Sequence, residues 1–136
     1  MTQEKNFKLT KQERLSGRKR IENLYANGHS FHISSIKIMW ILNQEEEISS
    51  ISQVMFSAPK KKFKNAVTRN RLKRLMRESF RKNKHILYDF LHSQNINIHL
   101  SIVFTGKADI NYAETEDKII LTLQRLTQEI KTSLEK

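Results

Sequence analysis

The sequence predicts an α/β sandwich: a central sheet of about four strands, mostly antiparallel, with helices packed on it. Three observations carry this. Runs rich in β-branched and aromatic residues lie at 31–42, 48–59 and 97–106, and they alternate in part with period two. Apolar residues at i, i+3, i+4 mark helices before, between and after them. The resulting order is α-β-β-β-α-β-α, with no internal repeat, low-complexity linker or coiled-coil heptad.

Taken in order, "MTQEKNFKLTKQE" (1–13) is polar and charged without an apolar period, so residues 1–13 are expected to form a flexible tail, and residues 14–136 one domain. In "RLSGRKRIENLYANG", Ile21, Leu24 and Tyr25 have helical spacing and Gly28 is a natural stop, predicting a helix over 18–27. "FHISSIKIMWIL" and "ISSISQVMFSAP", divided by the acidic turn "NQEEE", read as two or three antiparallel strands. From about Asn65 the period changes. Leu72, Leu75, Met76, Ser79 and Phe80 form one stripe of a helix running to about Lys82. "HILYDFLHSQ" continues that helix or forms a short one of its own. "NIHLSIVFTG" places Ile98, Leu100, Ile102 and Phe104 on one strand face, ended at Gly106. "YAETEDKIILTLQRLTQEIKTSL" closes the chain as a helix with Ile119, Leu123, Leu126, Ile130 and Leu134 in register and acidic residues in its first turn, where the macrodipole favours them.

Of the 136 residues, 38% are hydrophobic and 29% charged, the balance of a folded chain. Cysteine is absent, which removes disulfides, thiolate chemistry and Cys-based metal sites. No apolar run approaches the roughly 20 residues of a membrane span, and the opening lacks a signal peptide's apolar stretch, so a cytoplasmic protein with no membrane association is expected.

The location of the charge is more telling than its total. The chain has 25 basic and 14 acidic residues, a net +11; twelve of the basic ones and only Glu78 of the acidic lie between Lys60 and Lys84, leaving thirteen of each elsewhere. The whole excess belongs to one surface, as expected of a polyanion-binding footprint. On a helical wheel Asn70, Arg74, Arg77 and Arg81 fall within about 60° of one another opposite the apolar stripe, flanked by Arg71 and Lys73. A charge run is usually a solvated face, but like charges on a helix repel mildly and only Glu78 offers relief. Arginine's planar fork suits phosphate. Asn70 adds no charge; it suits a base edge, a sugar hydroxyl or a hydrated metal ion, and equally an N-terminal cap or local contact.

Other chemistry finds little support. The five histidines are scattered, three adjacent carboxylates in "NQEEE" point in different directions on a turn, and no phosphate loop, nucleophile elbow or Ser/His/Asp arrangement is present. No catalytic residue and no protein-built metal site is predicted.

"FKNAVTRNRLKRLMRESFR" (63–81) resembles the signature helix of the bacterial ribonuclease P protein component, the basic subunit that accompanies a catalytic RNA in removing 5′ leaders from precursor tRNA. The matching positions are Arg69, Asn70 and Arg71 of the "RNR" core, then Lys73, Arg74 and Arg77, preceded by Lys60, Lys61, Lys62, Asn65, Ala66 and Val67. Upstream, Arg14, Leu15, Tyr25 and Gly28 match the family's first-helix pattern. The resemblance covers about 14–130 and is detailed over 59–81. It implies a left-handed crossover joining two parallel strands through the basic helix, an exception to the usual hand. It also implies that metal-dependent cleavage belongs to the RNA and its Mg2+. The catalytic RNA would be held by Lys60, Lys61, Lys62, Arg69, Asn70, Arg71, Lys73, Arg74, Arg77 and Arg81. The single-stranded leader of precursor tRNA would lie in a cleft with Ile21, Tyr25 and Met39, where Ile21 replaces the family's usual aromatic. Either Met39 or Trp40 faces that cleft, since alternation allows only one; alignment favours Met39, and core packing is the ordinary role for Trp40. No obligate protein partner is implied. The alternative is a general basic nucleic-acid-binding module, ribosomal or architectural, without a role in cleavage; a protein-only ribonuclease would need clustered acidic or histidine groups.

Overall fold

The computed structural model describes residues 9–46 and 50–136. A short 3-10 helix (Lys11–Glu13) precedes α1 (Arg18–Asn27), β1 (His29–Ile33), β2 (Ile36–Leu42), β3 (Ser52–Ser57), α2 (Ala66–Asn83), α3 (His85–Gln94), β4 (Ile98–Phe104) and α4 (Tyr112–Leu134). The helices lie where apolar periodicity predicted them, and "HILYDFLHSQ" is a helix of its own.

The four strands form one sheet in the order β1-β2-β4-β3. β1 and β2 are an antiparallel hairpin, so "FHISSIKIMWIL" holds two strands turned at Ser34, whose φ is +53°. β2 pairs antiparallel with β4, and β4 pairs parallel with β3. The reading of the early strands as all antiparallel is thus corrected at β3, which lies beside β4 rather than β2, and β3 with β4 is the parallel pair that the family resemblance implied. The physical reason is partly in the connections. Nine residues separate β2 from β3, too many for a tight hairpin, while α2 and α3 supply the long crossover that parallel neighbours need. β4 is the most buried strand, because its central place covers it on both faces.

One sheet face carries the main core. Ile38, Trp40, Val54, Ile98, Leu100, Ile102 and Phe104 meet Leu72, Met76 and Phe80 of α2, Leu87 and Leu91 of α3, and Ile119, Leu123, Leu126 and Ile130 of α4. The stripe on α4 ends at Ile130; Leu134, expected within it, is exposed. The other face is smaller. Leu15, Leu24 and Met39 are buried there with Ile21, Ile41 and Met55 packed around them. α1 lies across this face and stops at Gly28, whose N–H donates to the Leu24 carbonyl at 2.8 Å. A Cβ at Gly28 would collide with that carbonyl oxygen and approach the Trp40 carbonyl at 3.1 Å, so the close turn requires glycine.

The tail expected at 1–13 is only partly outside the described residues: 1–8 are, but 9–13 dock on the fold. Glu13, 5% exposed, accepts from Lys84 Nζ at 2.9 Å and from the Tyr88 hydroxyl at 2.5 Å. A polar segment can dock without an apolar period when a buried charge finds a partner and full hydrogen bonding. Leu15 N–H then donates to the Val54 carbonyl at 3.0 Å, so the chain runs along the outer edge of β3.

Candidate nucleic-acid interface

α2 begins at Asn65, whose side-chain oxygen accepts from the Val67 N–H at 2.8 Å. Asn65 is therefore the N-cap, and Asn70 is not. Leu72, Met76, Ser79 and Phe80 are buried, with Ser79 Oγ donating to the Leu75 carbonyl at 2.9 Å. One face is locked into the core and the other is turned outward.

The outward residues divide into two groups. Asn70, Arg74 and Arg77 are exposed, Lys73 is half-buried, and none has a hydrogen bond or ion pair among the described residues. Lys60 and Lys61, in the turn before the helix, are likewise exposed and unpaired. The rest of the predicted set is engaged within the protein. Arg69 Nη1 donates to the carbonyls of Phe63 and Lys64 at 2.7 and 3.0 Å. Arg71 reaches the Ala108 and Ile110 carbonyls at 3.0 and 2.6 Å, tying α2 to the loop before α4. Lys62 Nζ donates to the Thr105 carbonyl and lies over the Phe63 ring. Arg81 pairs with Glu78 at 2.8 Å, and that hydrogen bond holds the Glu78 carboxyl below its ordinary range. Sequence pattern marks these residues as cationic, but the carbonyls that Arg69, Arg71 and Lys62 reach lie in loops that carry no periodicity.

The second feature is the surface where α1 packs on the sheet. Met39, Ser101 and Met55 sit side by side across β2, β4 and β3. Met39 is 8% exposed beneath α1, while Trp40 points to the main core at 2%. Ile21 is half-buried against this cluster, and Tyr25 is 46% exposed with its hydroxyl 3.1 Å from Ser101 Oγ. The three cleft residues named from sequence thus share one surface. Sequence reasoning missed its far end. There Arg20 binds Glu45 through two bonds of 2.7 and 2.8 Å, beside the buried His99, around a cavity of about 540 Å³. Arg20 holds the Glu45 carboxyl low, and burial pushes the His99 imidazole down. Glu45 lies in "NQEEE", whose carboxylates were expected to point in different directions on a turn; the structure pairs this one with an arginine of α1.

Among the described residues no group of three His, Asp or Glu side chains is placed to hold a metal ion, and no helix is long and apolar enough to cross a membrane.

Comparison with known proteins identifies relatives of this chain. The family model "Ribonuclease P" matches residues 9–131. The chain is 38% identical over 109 residues to the ribonuclease P protein component of Porphyromonas gingivalis, covering 80% of this chain and 77% of that one. It is 32% identical over 96 residues to the protein of the same name from Borrelia hermsii, covering 71% and 75%. The fold is shared with the RNase P protein of Staphylococcus aureus (TM-score 0.66, 20% identity, 84% of this chain and 94% of that one) and of Thermotoga maritima (0.65, 22%, 83% and 96%). An outward cationic helix on this sheet, with a family match over nearly the whole length, leads to one conclusion: the chain belongs to the ribonuclease P protein family.

Proposed function

We propose that this protein is the protein subunit of ribonuclease P and that its residues 14–136 work as one RNA-binding domain in the cytoplasm. The enzyme is the endoribonuclease that matures the 5′ end of tRNA. The observation that carries the proposal is the row of unpaired, outward groups on α2. Asn70, Lys73, Arg74 and Arg77 project from a helix whose opposite face is buried, so the cations are held in fixed relation before any RNA arrives.

In this reading Lys60, Lys61 and the α2 row meet phosphates of the catalytic RNA. Arg69, Arg71 and Lys62 support that face by fixing its loops, Arg81 is paired with Glu78 on the helix itself, and their remaining N–H groups extend the face. The leader strand lies along α1, where Tyr25 offers a ring for base stacking and the half-buried Ile21 offers apolar contact over Met39, which packs beneath them. The Mg2+ dependence of the enzyme finds no ligand cluster on this chain among the described residues; its ions would be held by RNA, and the amide of Asn70 is suited to bind their coordinated water.

The test is reconstitution of the purified protein with a bacterial ribonuclease P RNA and precursor tRNA at low magnesium. Stimulated cleavage at the mature 5′ end supports the proposal. Cleavage by the protein alone would move the chemistry onto this chain. No stimulation, with equal binding to unrelated duplexes, would favour a general nucleic-acid-binding module.

A further inference from the structure

The docked N-terminal segment has no part in the surface described so far. Its anchor is costly: a carboxylate and an ammonium are both withdrawn from water, Glu13 at 5% and Lys84 at 8% exposure, and such pairs roughly break even in stability. Their geometry is nevertheless complete. Glu13 Oε1 accepts from Thr10 N–H at 2.8 Å and Lys84 Nζ at 3.1 Å, and Oε2 from Lys84 at 2.9 Å and Tyr88 at 2.5 Å. What this arrangement does is fix position. The next residue, Arg14, pairs its backbone with β3 at Val54 and leaves its side chain exposed, with no partner among the described residues.

Arg14, Lys73 and Arg77 line one notch of about 240 Å³, over a floor that includes Leu15, Val54 and Met55. No carboxylate lines it. Leu15 and Met55 also belong to the apolar cluster beneath α1 that contains Met39, so the notch joins the α2 face to the leader cleft.

We infer that Arg14, Lys73 and Arg77 form a binding site for one RNA phosphodiester, and that Glu13, Lys84 and Tyr88 are positioning residues that hold Arg14 in it. Three cations without a carboxylate select an anion. The apolar floor suits the sugar or base attached to a phosphate better than a free ion, and a strand crossing from α2 to the cleft must pass here. The phosphodiester comes from the catalytic RNA or from the precursor. This inference rests on the proposed function.

The experiment uses the full chain and two salt series, one for protein binding the ribonuclease P RNA and one for the holoenzyme binding precursor tRNA. Arg14→Ala is expected to reduce the log–log salt slope by about 0.7 to 0.9, the loss of one phosphate contact, in one of the two series, and that series identifies the source. Arg14→Lys should retain the slope. Glu13→Gln should lose as much as Arg14→Ala, and the double variant no more than either, because the anchor acts through Arg14. Additive losses would overturn the positioning role. If Glu13→Gln fails to fold, Tyr88→Phe, which keeps the ion pair, replaces it. Arg14→Ala without effect in both series, while Arg74→Ala lowers the slope, overturns the notch alone. If neither variant has an effect, the proposed function fails with it.

Discussion

Asn70 and Arg71 are neighbours on α2 with opposite fates: the first ends in solvent, the second on two carbonyls of the loop before α4. The difference follows from the 100° step between them, which turns Arg71 toward the flank of the helix where that loop passes. The two kinds of arginine should therefore separate experimentally. Arg71→Ala is expected to lower unfolding free energy by about 1 kcal/mol, because charge-assisted bonds to backbone are lost from a partly exposed site. Arg74→Ala should stay within about 0.5 kcal/mol of the parent while weakening assembly with the RNA subunit. Urea unfolding read beside an RNA-binding titration checks both. Equal destabilisation by the two would show that Arg74 is structural.

At the level of elements, α2 starts against its own charge. Its first turn has no acidic residue, and Lys64 and Arg69 lie near an N-terminus that already bears the positive end of the dipole. The Asn65 cap offsets this, and Asn65→Ala should cost about 1 kcal/mol, seen as an earlier urea midpoint with an unchanged slope. The helices were legible in the sequence because each buries one face, and the stripe of Leu72, Met76 and Phe80 is the signature of that burial. The pairing of β3 was not legible in the residue pattern; only the family resemblance implied a parallel partner across the basic helix. Alternation in "SQVMFS" specifies two faces but not which neighbour its edges meet, and that choice depended on β4, some forty residues on. The docking of residues 9–13 was hidden for a different reason. A 3-10 turn held by one buried charge pair has no period to detect, and its partners Lys84 and Tyr88 are about seventy residues away. The candidate site was half legible for the same cause: cationic residues can be counted, but whether a guanidinium meets solvent or a carbonyl is decided by loops distant in sequence.

For the molecule as a whole, the concentration of charge on one surface sets how it responds to salt and acid. If the basic face as a whole replaces counterions at about six phosphates, log affinity against log salt has a slope of roughly −4 to −5; a slope near zero would remove the electrostatic part of the proposal. Acid acts elsewhere. Burial opposes ionisation of Glu13, but the Thr10 amide, Tyr88 hydroxyl and Lys84 ammonium outweigh it and hold the carboxyl below its ordinary value of 4.5. A depressed folded-state value contributes stability above the unfolded value, lost as pH falls through the folded one. Thermal melting should therefore show an acid-side decline below pH 4.5 that is shallower in Glu13→Gln.

The backbone contact between Leu15 and Val54 has one more consequence. β3 is the last strand on its side of the sheet, and residues 14 and 15 occupy part of the row of amides and carbonyls that such a strand leaves open. Open rows of that kind are templates for strands of other molecules. Removing residues 1–15 is expected to yield a protein that self-associates with rising concentration, detectable by light scattering, where the full chain does not. The same short segment that presents Arg14 to RNA would then also be the chain's guard against its own copies.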